Sequence, residues 1–229
     1  VLPVAEIPQK ILAYRERIRK VVIPFEPENH NTTEQQALRD VLTQLRVQTG
    51  HDFSNYKRPT LLRRIERRIN VRGLPDLTTY ASFLQDTGEE TMSLLTDLLI
   101  SVTNFFRDKS SFEFFEQNVL PVMLEKKTAK DQLRIWVVGC ATGEEAYSMA
   151  ILCAENVLNT IHAPKVHIFA TDVDDSAISV AREGLYTIND AADISPERLW
   201  RFFNKEGDLY RVRPEIREMV LFANHNIIK

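Results

Sequence analysis

Val138-Gly139-Cys140-Ala141-Thr142-Gly143-Glu144-Glu145 sits where two kinds of pattern meet in this 229-residue chain. Before it runs Leu133-Arg134-Ile135-Trp136-Val137-Val138, a short and mostly apolar stretch of the type that forms a strand covered on both faces. After it, residues 145–158 carry apolar side chains at helical spacing. Val166-His167-Ile168-Phe169-Ala170-Thr171 repeats the strand pattern, and residues 175–182 repeat the helical one. Strand, helix, strand, helix is the order of a parallel α/β sheet. In such a sheet, ligands bind at the carboxyl ends of the strands, which is where this loop lies. Gly139 and Gly143 permit a tight turn and close approach of a ligand to backbone.

The acids in the loop narrow the ligand. A pyrophosphate site needs bare N–H groups at a helix N-terminus, often with a lysine. Here the helix opens on Glu144 and Glu145, and neither GxGxxG nor GxxxxGK[ST] is present. A ligand with an ammonium and a sulfonium but no phosphate suits these acids better, and S-adenosylmethionine is such a ligand. The second strand ends in Thr171-Asp172-Val173-Asp174-Asp175, where an acid can accept hydrogen bonds from both ribose hydroxyls. Two plainer readings stand beside these. Acids in a first helical turn are favourable there by about 0.3–1 kcal/mol each. Asp172 could simply cap the helix that follows it.

Working outward, residues 1–31 hold one helical stretch, residues 9–22, and a linker-like end, Pro24-Phe25-Glu26-Pro27-Glu28-Asn29. Residues 32–128 read as an all-helical domain. Its helices are expected from Thr32 and Thr33 through Leu38, Val41, Leu42 and Leu45; over residues 59–71, stopping at Gly73; and over residues 77–84. Two more are expected, one through Met92, Leu95, Leu98 and Leu99 and one over residues 110–124. Residues 129–229 read as the α/β domain with a small β subdomain, and strand-like runs lie at 209–212 and 219–222. Trp136 and Phe169 are expected in its core. The composition is that of a globular protein, with 44% apolar and 27% charged residues and a net charge of −3. That charge gives no reason to expect nucleic acid. No apolar run approaches the roughly 20 residues of a membrane span, so no membrane insertion is expected. Two cysteines without metal-type spacing, and histidines equally scattered, point to no metal site and to a reducing, cytoplasmic setting.

Four segments in order resemble the CheR family, the chemotaxis-receptor glutamate O-methyltransferases. They are Ile100-Ser101-Val102-Thr103-Asn104-Phe105-Phe106-Arg107-Asp108; Gly139-Cys140-Ala141-Thr142-Gly143-Glu144-Glu145-Ala146-Tyr147-Ser148; Ala170-Thr171-Asp172-Val173-Asp174 with Ala181-Arg182-Glu183-Gly184-Leu185-Tyr186; and Phe222-Ala223-Asn224-His225-Asn226-Ile227. The resemblance covers residues 38–229. It implies an N-terminal all-α domain before a Rossmann-like methyltransferase domain that binds S-adenosylmethionine and releases S-adenosylhomocysteine. By position it implies that Ser101, Thr103 and Arg107 reach the cofactor from one side and Glu145 and Asp172 from the strand ends, with Asn226 and Ile227 flanking the adenine. Enteric members carry asparagine at the position of Ser101, where this chain has a shorter side chain with a hydroxyl in place of the amide. Residues 3–14 resemble the tail of a CheB-type methylesterase domain, as in a fused parent protein.

The substrate so implied is a glutamate side chain of a methyl-accepting chemotaxis receptor's cytoplasmic domain. Such a side chain, with a reference pKa of about 4.3, is already ionised at neutral pH, so no general base and no metal are needed. Arg107 is the candidate catalytic residue, placed to orient a carboxylate through paired hydrogen bonds, either the substrate's or the cofactor's own. On the helix after Pro59, Leu61, Leu62, Ile65 and Ile69 share one arc at about 100° per residue. Arg63, Arg64, Arg67 and Arg68 make a basic face away from it. That face is either solvated or a docking surface for an acidic receptor helix bundle. The stretch at 204–210 looks shorter than the tail-binding insertion of some members, so no tail-tethering is expected. In the family, a further strand ending in Cys-Arg-Asn follows the segment matching residues 222–229, so a C-terminally truncated domain is expected, with weak cofactor binding. The rival from another class is a catalytically silent module that senses S-adenosylmethionine or scaffolds a signalling complex.

Overall fold

The computed structural model describes residue 9 and residues 32–99, 101–157 and 163–227. The expected helix at residues 9–22 and the methylesterase-like stretch therefore lie outside the described residues, apart from Gln9. The chain divides into two compact units, Val1–Ile100 and Ser101–Lys229.

In the first unit, helices α1 (Thr32–Thr49), α2 (Arg58–Arg72), α3 (Leu77–Asp86) and α4 (Gly88–Leu98) pack around Leu38, Val41, Leu45, Leu61, Ile65, Ile69, Leu84 and Leu94. α2 starts with Pro59 in its first turn and ends where Gly73 takes φ 70°, its N–H returning to the Asn70 and Ile69 carbonyls. Asp76 caps α3 by accepting from the Thr79 N–H. The phase of α4 differs from expectation. Met92 faces solvent, and Glu90 lies fully buried. The reason is Arg68, which gives Glu90 a two-pronged pair at 2.8 and 2.7 Å. Arg72 Nε also donates to Glu90, and the Tyr80 hydroxyl donates at 3.0 Å.

The second unit begins with α5 (Lys109–Phe114), a π-helical turn (Phe115–Val119) and α6 (Leu120–Leu124). Strands β1 (Gln132–Val138), β2 (Lys165–Asp172) and β6 (Val220–Asn224) form a parallel sheet in the order β1-β2-β6. Helices α7 (Glu144–Val157) and α8 (Asp175–Glu183) follow β1 and β2. Three short strands, β3 (Leu185–Thr187), β4 (Phe203–Glu206) and β5 (Leu209–Val212), make an antiparallel sheet in the order β3-β5-β4. Between them lies α9 (Pro196–Phe202), and α10 (Pro214–Arg217) leads into β6. The chain thus has an all-α unit and a Rossmann-like α/β unit.

Two expectations are corrected. Residues 101–128 belong with the α/β unit and not with the helical one, because Phe105, Phe106 and Leu120 are part of the α/β core. The strand-like run at 219–222 falls in the parallel sheet, as β6. The strands are also not covered on both faces. Trp136, Phe169 and Leu221 stand side by side in register and are 53%, 41% and 61% exposed. Among the described residues, helices cover only the other face, where Leu133, Val137, Val166, Ile168, Ala170 and Phe222 are buried.

Candidate cofactor site

Parallel pairing brings the carboxyl ends of β1, β2 and β6 together: Val138 lies opposite Thr171, and Asp172 opposite Asn224. The loop after β1 is bolted to β2. The Gly139 and Cys140 N–H groups both donate to the Thr171 carbonyl, at 2.7 and 3.0 Å. The Ala141 N–H donates to one Asp172 carboxylate oxygen at 2.8 Å, and the Asp174 N–H to the other at 2.9 Å. Asp172 therefore does not cap α8. Asp174 does, accepting from the Ser176 and Ala177 N–H groups. Because a carboxylate has about four acceptor positions, each Asp172 oxygen has room for a second donor.

The two glycines have different jobs. A Cβ built on Gly139 would meet no protein atom within 4 Å, so the space beside that backbone is open, while its φ of 71° favours glycine. At Gly143 a Cβ would lie 2.8 Å from the Ala181 Cβ, so this glycine serves the packing of α7 against α8 and not a ligand. The two acids differ as well. Glu144 is buried, its carboxylate takes the Thr142 hydroxyl at 2.6 Å, and burial raises its pKa. Glu145 is exposed. The protein bulk around it and then the Asp108 charge raise its carboxyl above the usual range, and no cation offsets this among the described residues. Burial, and then the Asp172 charge, push the Cys140 thiol up to about 12, so it stays protonated and fills space.

The segment expected to reach the cofactor from its other side is tied to this constellation at Ser101, whose hydroxyl donates to Asp174 at 3.2 Å. Thr103 and Asn226 are half-buried, and Ile227 is exposed. Arg107 is exposed, and its guanidinium donates to the Val102 carbonyl at 2.8 Å. It also lines a cleft of about 770 Å³ with Asp193 and Arg198, and none of Gly139, Glu145 or Asp172 lines that cleft. The structure thus brings Ser101, Gly139 and Asp172 into one neighbourhood and leaves Arg107 turned to a second one.

Two family models match the chain over nearly all of residues 36–229. Residues 101–229 match the family model for the CheR methyltransferase SAM binding domain, and residues 36–99 that for the CheR methyltransferase all-alpha domain. The chain belongs to the CheR methyltransferase family. An uncharacterized 104.1 kDa protein in the hypE 3' region of Rhodobacter capsulatus is 40% identical over 84% of this chain, which spans 20% of that protein. The chemotaxis protein methyltransferase of Escherichia coli (strain K12) is 30% identical over 86% of the chain and 69% of its own length. That of Salmonella typhimurium is 30% identical over 79% of the chain and 62% of its own length. The chain thus spans a fifth of the first relative and about two thirds of the two methyltransferases.

The CheR cofactor, S-adenosylmethionine, suits the residues present. The open backbone at Gly139 and the unneutralised Glu145 beside Asp108 fit a cationic ligand without phosphate. Among the described residues no cluster of His, Cys, Asp and Glu could hold a metal ion, and no helix is long and apolar enough to cross a membrane.

Proposed function

We propose that this CheR-family chain is the methyl-transferring part of an enzyme that acts on glutamate side-chain carboxylates of chemotaxis receptors. The observation that carries the reading is the uncompensated Glu145 carboxylate in the first turn of the helix that follows the open Gly139 backbone, in a segment with no lysine and no phosphate-binding motif. When bound, S-adenosylmethionine supplies an electrophilic methyl group on a sulfonium. Glu145 pairs with a cation of the ligand, and Asp172 accepts from its ribose hydroxyls. Arg107 orients a carboxylate after leaving the Val102 carbonyl. A receptor glutamate is already ionised at neutral pH, so no side chain here has to remove a proton. Alignment and exclusion of water supply the rate.

The decisive experiment is methyl transfer from labelled S-adenosylmethionine to receptor cytoplasmic fragments by the full-length protein. Base-labile label on glutamate is the expected result. Tight cofactor binding without transfer to any receptor fragment would instead favour a silent sensing module. The charge on Glu145 gives a further expectation. Its pKa is raised in the free protein and falls when a cation pairs with it. Affinity is therefore full at neutral pH and weakens as pH falls through the free-protein value. Calorimetry across acidic pH should show this for the native chain, and Glu145→Gln should bind weakly with little pH dependence. A variant as tight as the native chain would remove Glu145 from the site.

The partner surface rests on α2. Arg63 and Arg67 are exposed on one side of it and Arg64 is half-buried. Arg68 does not belong to that face, since its side chain is 13% exposed and is tied to Glu90 and, at 3.6 Å, to Asp97. An acidic receptor bundle docks on Arg63 and Arg67 in this reading. Reversing both charges should slow receptor methylation by about tenfold at low salt and flatten its salt dependence. Cofactor affinity should stay the same. Unchanged methylation kinetics would make the face a solvated one. Direct docking also means that an isolated receptor tail peptide does not compete.

A further inference from the structure

Arg107 follows a turn held in a conformation its residues do not favour. Phe106 has φ 52°, in the left-handed region that bulky side chains rarely enter. Its surroundings force this. Phe105 on one side is fully buried, edge-on to Tyr186 and Phe203 at 4.9 and 5.6 Å. The Phe106 ring is buried on the other, under the Arg198 guanidinium at 4.7 Å and against the Phe112 ring at 5.4 Å. The backbone between the two rings is fixed by one hydrogen bond, from the Phe106 N–H to the Ser148 hydroxyl oxygen at 3.0 Å. Ser148 is fully buried on α7, one turn after Glu144, and its own proton goes to the Glu144 carbonyl at 2.7 Å. That second bond turns a lone pair of the hydroxyl toward the Phe106 N–H. The helix that carries Glu145 therefore also grips the residue before Arg107.

We propose that Ser148 is a positioning residue for the methyl transfer: it locks the Phe106 turn and so sets where the Arg107 guanidinium can reach. The inference rests on the function proposed above, with Arg107 meeting a carboxylate of cofactor or substrate. Without the hydroxyl, the Phe106 N–H is buried with no acceptor, and the turn escapes by rotating its peptide toward ordinary backbone angles. That rotation redirects the Arg107 side chain without removing it. Alanine is close to serine in volume and is a good helix former, so α7 itself tolerates the change.

The test is a double-mutant cycle in the full-length protein, read by methyl transfer to receptor cytoplasmic fragments and by calorimetry with S-adenosylhomocysteine. Ser148→Ala should lower the transfer rate by about 10- to 100-fold, the range for a misplaced catalytic group. Its split between kcat, KM and cofactor affinity should copy that of Arg107→Ala. In the Arg107→Ala background, Ser148→Ala should have no further effect, and Ser148→Thr, which keeps the hydroxyl, should retain most of the native rate. Effects of the two alanine changes that multiply independently would overturn the proposal. So would a Ser148→Ala protein whose loss is accounted for by unfolding in thermal melts. A native protein that binds no cofactor would instead sink the proposed function itself, so the two failures are distinguishable.

Discussion

Replacing Glu90 by glutamine should destabilise the helical unit by about 3 kcal/mol, the lower end for breaking a buried ion pair. The native carboxylate is fully buried and accepts from Arg68, Arg72 and the Tyr80 hydroxyl. Glutamine keeps one acceptor, turns its NH2 toward a guanidinium and leaves Arg68 uncompensated except by Asp97. Arg72, with its side chain 39% exposed, recovers water, which is why the lower end applies. Urea unfolding followed by circular dichroism would measure the loss, and a change under 1 kcal/mol would show that the cluster relaxes without cost. The pH dependence has a defined sign. Burial alone would raise the Glu90 pKa, but the hydrogen bonds from Arg68, Arg72 and Tyr80 outweigh it and the net shift is downward. The contribution is therefore complete above the unfolded value of about 4.3 and is lost as pH falls through the lower folded value. The glutamine variant should lack this acid-side slope.

Asp172→Ala should weaken cofactor binding by about 1.5–3 kcal/mol, as for a lost hydrogen bond to a charged group. The sequence alone predicts a change in affinity with little change in stability. The structure adds a second effect, because the same carboxylate receives the Ala141 and Asp174 N–H groups. Alanine leaves both donors without that partner, so the loop after β1 and the start of α8 should loosen, with a further stability loss of about 1–3 kcal/mol. Asp172→Asn separates the two effects. Its amide oxygen still accepts from one N–H, while its NH2 faces the other, so affinity falls with part of the stability kept. Calorimetry and thermal melts on both variants check this. If Asp172→Ala bound S-adenosylhomocysteine as tightly as the native protein, the carboxylate would be a scaffold for the loop only.

The same residues show how far the chain can be read without its fold. Sequence alone determined what depends on local period and composition. Two apolar runs with a glycine loop between them and helical spacing after each require parallel strands and their helices. Gly73, with φ 70°, stops its helix where a left-handed residue is needed. The acidic, lysine-free loop excluded phosphate because charge at a helix start is a local property. Tertiary structure decided which partner each group meets. Glu90 and Arg68 are 22 residues apart, Ser148 and Phe106 are 42 apart, and Asp172 and Ala141 are 31 apart. No helical or strand period links positions so distant. The two glycines of one loop, alike in sequence, parted for the same reason, since only the packed α8 puts Ala181 against Gly143. Likewise Trp136 and Phe169 read as core because strand period records which side chains share a face, while what covers that face is settled by the rest of the fold.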